Sequence, residues 1–166
     1  MNVTTSTPQS PLAHAPRLPR ELVDSSIFLL KRLGFVAKDR AMAAYEETGL
    51  HPYHHAVLLV LSEGAPETQG SIADSLGYDR GQLVGLLDEL EERELVERKR
   101  DPNDRRRHLV RLTPAGKKML GRLRSLSAQI DDEFLSPLDP EERATLHGLL
   151  RRLAEEHEPR CAPLVR

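Results

Sequence analysis

The chain has one cysteine among its 166 residues, no tryptophan, three phenylalanines and three tyrosines. With Cys161 alone an intramolecular disulfide is excluded, and a reducing, cytoplasmic setting is expected. The longest uninterrupted apolar run, Ala56 to Leu61, falls far short of the ~18 to 20 residues that a bilayer span requires, so no membrane segment is expected. The N-terminus also lacks the apolar stretch of ~7 to 15 residues that marks a secretory signal. At roughly 150 residues per domain the length suits one compact unit and leaves no room for separate cofactor and substrate domains. No nucleophile motif and no solenoid repeat stand out; neither an enzyme nor a bound cofactor is expected.

What is present is an ordinary apolar fraction and an uneven distribution of charge. Hydrophobic residues make up 39%, near the average for soluble domains once the glycines are added, so a core can form. The net charge of -2 hides a division along the chain. From Arg98 to Arg124 there are 11 Lys and Arg against Asp101 and Asp104 alone, leaving 13 basic against 24 acidic residues elsewhere. A cationic segment on an otherwise acidic chain points to a polyanion-facing surface. A merely solvated basic face is the plainer alternative.

Residues 1–19 carry Pro8, Pro11, Pro16 and Pro19 among Ser, Thr and Ala, a composition that reads as a disordered tail. From about Arg20 to Glu47, Val23, Ile27, Leu30, Leu33 and Ala37 recur every three or four residues, which predicts one long amphipathic helix. Gly49 stops it, and Pro52 suits the first turn of a second helix that contains the run Ala56 to Leu61. Thr68 is a good N-cap for a short third helix bearing Ile72, Ala73 and Leu76. After Gly77, Asp79 and Gln82 have capping-box spacing, and Leu83, Leu86, Leu87 and Leu90 describe one helical face. Two short helices around a Gly-containing turn are the outline of a helix-turn-helix.

Leu95 to Arg100 and His108 to Leu112 are β-compatible, and the Asp101-Pro-Asn-Asp104 stretch between them is rich in turn formers. The expected product is a two-stranded hairpin, a wing, with Arg105, Arg106 and Arg107 at its tip. Thr113 and Pro114 open a helix striped by Met119, Leu123, Leu126, Ile130 and Phe134. Asp139, Pro140 and Glu142 open a last helix bearing Leu146, Leu149, Leu150 and Leu153, and residues 157–166 read as a tail.

If the helix after Asp79 enters a major groove, Arg80, Gly81 and Gln82 meet base edges, Arg reading guanine and Gln adenine. Gly81 and Gly85 each cost a helix roughly 1 kcal/mol relative to Ala, which makes sense where backbone approaches DNA, although simple tolerance also explains them. The arginine tip suits a narrow minor groove. Thr68 and Gln69 at a helix N-terminus suit a phosphate oxygen and are equally well explained as capping residues.

In order and wording these elements resemble the MarR family of winged-helix transcription regulators, most closely over Thr68 to Gly116. The most specific part is Asp101-Pro-Asn-Asp104-Arg105-Arg106-Arg107, followed by Leu112-Thr113-Pro114-Ala115-Gly116. Thr68-Gln69 with Ile72-Ala73, and Leu90-Glu91 with Leu95-Val96-Glu97-Arg98, are similar to the two ends of its helix-turn-helix, while Glu94 stands where the family usually has Gly or Asn.

The resemblance implies a mostly α, winged helix-turn-helix fold over residues 20–156. Its DNA-binding lobe would lie at about 51–112, with dimerisation helices at about 20–48 and 113–156. It also implies a homodimer on a palindromic operator, usually a repressor, with Asp104 orienting Arg106. A small aromatic or anionic effector would be held near Phe35, Tyr45, Tyr53, His54 and His55, residues that core packing also explains.

No metal is expected, because His51, His54 and His55 lack an accompanying Cys or acidic pair in the sequence. Cys161 reads as an inert exposed thiol. The alternative functions are a winged-helix module for protein partners, which the unbroken wing arginines oppose, and a His-cluster metal protein.

Overall fold

The computed structural model describes residues 17–63, 67–102, 104 and 107–161. The expected disordered tail therefore lies largely outside the described residues, as do residues 162–166. The described residues divide into two compact units, one up to residue 38 and the other from residue 39 onward. In the first, a one-turn helix α1 (Arg20–Val23) precedes α2 (Ser26–Tyr45). The single helix expected from 20 to 47 is thus interrupted. The Ser25 hydroxyl accepts the Phe28 N–H at 3.3 Å and its carbonyl accepts the Leu29 N–H at 3.0 Å, so Ser25 begins a new helix as its cap.

In the second unit α2 ends in a 3-10 turn (Glu46–Thr48) closed by Gly49 at φ +67°, where a side chain is disfavoured. Helix α3 (Pro52–Ser62) starts with its proline at the first turn, where no N–H is missed. A short strand β1 (Glu67–Thr68) leads into α4 (Gln69–Leu76), then α5 (Arg80–Glu92), strands β2 (Val96–Arg100) and β3 (His108–Leu112), α6 (Pro114–Phe134) and α7 (Pro140–His157). A 3-10 turn at Pro159–Cys161 lies within the expected C-terminal tail, with Cys161 exposed.

The sheet is antiparallel in the order β1-β3-β2, with Val96 opposite Leu112, Arg100 opposite His108, and Glu67 opposite Val110. The two-stranded wing is therefore augmented by a third strand. Two residues are too few to show an alternation in sequence, and Thr68 serves twice, pairing with Leu109 and capping α4.

Val57 and Leu58 of α3 sit at the centre of one core with Ile72, Leu83, Leu87, Leu90, Val96, Val110 and Leu123. All four periodic leucines of α5 are buried, each contributing roughly 1.5 to 3 kcal/mol. On α6 the buried residues are Gly116, Leu120 and Leu123, while Met119, Leu126 and Ile130 pack at the edge of the core. Gly116 lies so close to the turn that leads into β2 that a Cβ there would come within 1.9 Å of the Leu95 carbonyl oxygen. No helix among the described residues is long and apolar enough to cross a membrane.

Candidate nucleic-acid interface

The turn between α4 and α5 is made by Gly77 at φ +65°, with the Tyr78 N–H returning to the Ala73 carbonyl at 3.1 Å. Asp79 then caps α5: its Oδ1 accepts the Gly81 N–H at 2.8 Å and the Gln82 N–H at 3.3 Å. The expected capping box is one-sided, because the Gln82 side chain is exposed instead of folding back onto the cap. With the leucines turned inward, Arg80, Gly81, Gln82, Val84, Gly85 and Asp88 form the outward face of the helix.

Val84, 41% exposed, was missed in reading the sequence, although the same leucine period places it on this face. An outward valine offers apolar contact to a thymine methyl group. The two glycines separate clearly. A Cβ on Gly81 would meet Asp79 Oδ1 at 3.0 Å, so the cap itself favours glycine, whereas Gly85 has nothing within 4 Å and no internal reason for lacking a side chain.

The wing is tied to α5 by Arg98 of β2, which is largely buried. Its guanidinium reaches Asp88 Oδ1 at 2.5 Å and Glu91 Oε2 at 3.4 Å, and its backbone N–H reaches Glu91 Oε1 at 3.1 Å. At the tip the Asp101 N–H reaches the Arg107 carbonyl at 3.0 Å and the Arg107 N–H reaches the Asp104 carbonyl at 2.9 Å. Arg107 Nε also approaches Asp104 Oδ2 at 3.6 Å. Arg105 and Arg106, and with them the expected Asp104–Arg106 pair, lie outside the described residues. Thr68 Oγ1 accepts the Ser71 N–H at 3.1 Å and the Ser71 hydroxyl accepts the Thr68 N–H at 2.9 Å, a full capping box, with Gln69 half-buried beside it.

The turn into β2 has an unusual residue. Glu94 adopts φ +57°, the left-handed conformation that glycine favours, and it is the one non-glycine residue described there. The turn is held by a bond from the Leu95 N–H to the Leu90 carbonyl at 2.9 Å and by the Thr113 hydroxyl on the Glu94 carbonyl at 2.7 Å.

Of the residues expected near an effector, Phe35 is exposed and belongs to the first unit, whereas Tyr45, Tyr53, His54 and His55 belong to the second. The Tyr45 hydroxyl and His55 Nδ1 are 2.7 Å apart and buried. Burial raises the Tyr45 pKa and lowers that of His55, with Arg124 adding to the latter. Tyr53 packs edge-on against Tyr78. His54 is 0% exposed. Burial, followed by the neighbouring His51, lowers its pKa to about 4 against an opposing pull from Glu89, so it is neutral at neutral pH. His54 and His55 are thus core residues, while His51 at the helix start is half-buried.

A helix pair whose second member exposes its first turn, followed by an antiparallel hairpin and long flanking helices, defines a winged helix-turn-helix. Known proteins agree. The MarR family model matches residues 48–107. A transcriptional regulatory protein for the hcr operon of Thauera aromatica is 32% identical over 141 residues, covering 80% of this chain and 84% of that protein. Among solved structures, the transcriptional repressor CouR bound to a 23-mer DNA duplex is 31% identical with a TM-score of 0.76, covering 84% of this chain and 99% of that one. A MarR-family transcriptional regulator from Rhodococcus sp. RHA1 is 30% identical with a TM-score of 0.72, covering 82% and 96%. The chain belongs to the MarR family of transcriptional regulators.

Proposed function

We propose that the chain acts as a homodimeric, sequence-specific repressor that binds a palindromic DNA duplex and is released by a small-molecule effector. The observation that carries this reading is the outward first turn of α5, where Arg80 and Gln82 are exposed beside an aspartate cap while four buried leucines fix the helix. In the major groove Arg80 and Gln82 each supply ~1 to 3 kcal/mol of discrimination, with the backbone at Gly81 and Gly85 close to the DNA. Arg105, Arg106 and Arg107 enter the adjoining minor groove, Arg106 oriented by Asp104. Thr68 and Gln69 face a phosphate through the N-terminus of α4.

Dimerisation is supported by apolar side chains that each unit leaves exposed. In the first these include Ile27, 79% exposed, with Leu30 and Leu33; in the second, Leu149 and Leu153. Covering them needs a partner, and a two-fold copy doubles the phosphate contacts. In this division of labour residues 51–112 bind DNA, while residues 20–48 and 113–156 pair the protomers. CouR, a repressor solved on a duplex, supports the same direction of control. An effector that prefers the protomer arrangement unable to span two half-sites would shift the population off DNA. The buried polar pair Tyr45 and His55 is the chemistry such a ligand would engage.

Fluorescence anisotropy with labelled duplex tests the mechanism. Affinity is expected to fall by about three orders of magnitude or more between low and moderate salt, as 6 to 10 phosphate contacts would require (roughly, by counterion release). Salt-independent binding overturns it. Small aromatic acids that change neither thermal stability nor DNA affinity would overturn the effector assignment.

A further inference from the structure

The histidines at the start of α3 acquire an acidic neighbour that lies far away in sequence. His54 Nε2 is 3.2 Å from Oε2 of Glu89, on α5. The donor atoms of His51, His54 and Glu89 all lie within 4.8 Å of one another. Tetrahedral ligands at ~2.0 to 2.2 Å from an ion sit about 3.3 Å apart, so the His54–Glu89 pair already has the required spacing and a rotation of the half-exposed His51 completes it. His51 Nδ1 is buried without a hydrogen bond of acceptable geometry, and the polar group facing the buried His54 Nε2 is the Glu89 carboxylate. The two rings stack at 3.9 Å, with their planes 32° apart. Glu89 is 54% exposed, which leaves access for an ion and an open position for water.

We propose that His51, His54 and Glu89 bind one divalent transition-metal ion per protomer. Two imidazoles and one carboxylate suit Zn(II), Co(II) or Ni(II), whereas Mg(II) and Ca(II) demand oxygen shells. Without an ion, His54 Nδ1 accepts the His51 N–H at 3.3 Å, which puts the ring's single proton on Nε2, facing Glu89. With an ion on Nε2 that proton moves to Nδ1, and the long backbone bond is given up. The Arg93 guanidinium, which lies over Gly49 and acts on His54, opposes a cation; the Glu89 carboxylate offsets it. Glu89 shares its helix with Arg80 and Gln82, so an ion here ties α5 to α3.

The test is a Co(II) titration of the untagged full chain, followed by visible absorption and calorimetry and independent of DNA binding. Wild type is expected to bind one Co(II) per protomer with the ligand-field bands of a low-symmetry N/O site. Glu89→Gln alters a half-exposed side chain, and His51→Asn keeps an N-cap residue, so both variants fold. Each is expected to bind Co(II) at least about tenfold more weakly. Glu92→Gln, exposed on the same helix, is expected to match wild type. No binding by wild type at millimolar Co(II), or a loss of less than tenfold in either site variant, overturns the proposal.

Discussion

Gly81 and Gly85 share one outward face of α5 and look alike in the sequence, yet only one is accounted for by the protein itself. Gly81 serves the Asp79 cap, and Gly85 opens onto empty space. Gly85→Ala is therefore expected to raise stability by up to ~1 kcal/mol, seen as a higher thermal midpoint, because alanine is the better helix former. The same change is expected to weaken DNA binding, because a methyl group would stand between the backbone and the groove. Unaltered affinity would show that the backbone does not approach DNA there. Glu94 presents the opposite case, a side chain where the backbone favours none. Glu94→Gly is expected to stabilise the chain by about 1 kcal/mol in urea denaturation by relieving the left-handed conformation; a lower midpoint would contradict that account.

At the scale of elements, what was legible in the sequence is what local chemistry decides. Thr68, Asp79, Thr113 and Asp139 each cap the helix expected of them, because a short oxygen-bearing side chain three residues ahead of a free N–H acts over one turn. The outward face of α5 followed from its leucine period. What was illegible depends on partners elsewhere in the chain or on a single cap inside a good pattern. Strand β1 exists because Leu109 and Val110 pair with it, the His54–Glu89 approach joins residues from two helices, and one serine interrupts the first long helix. Gly116 shows an element junction at its tightest, with α6 against the Leu95 carbonyl. Gly116→Ala must push α6 away from the Leu95 backbone, an overpacking that costs typically ~1 to 3 kcal/mol. Chemical denaturation checks this; a variant as stable as wild type would mean that the junction yields freely.

At the scale of the whole molecule, Arg98 joins the outward face of α5 to the cationic wing, and the apolar side chains left exposed are those that the proposed dimer would cover. The two DNA contacts are expected to separate on mutation. Arg80→Ala should change which base pair is preferred at one position, at a cost of ~1 to 3 kcal/mol, while Arg106→Ala should weaken all duplexes alike and lower the salt slope. Wild-type affinity in Arg106→Ala would remove the wing from the groove.

The most direct measurement is selection of bound duplexes from a random pool by the purified full-length chain. A two-fold dimer with α5 in the major groove predicts enrichment of a palindrome whose half-sites lie about one helical turn, ~10 base pairs, apart on one face of the duplex. Enrichment of an asymmetric single site, or of nothing at all in dilute buffer, would contradict it.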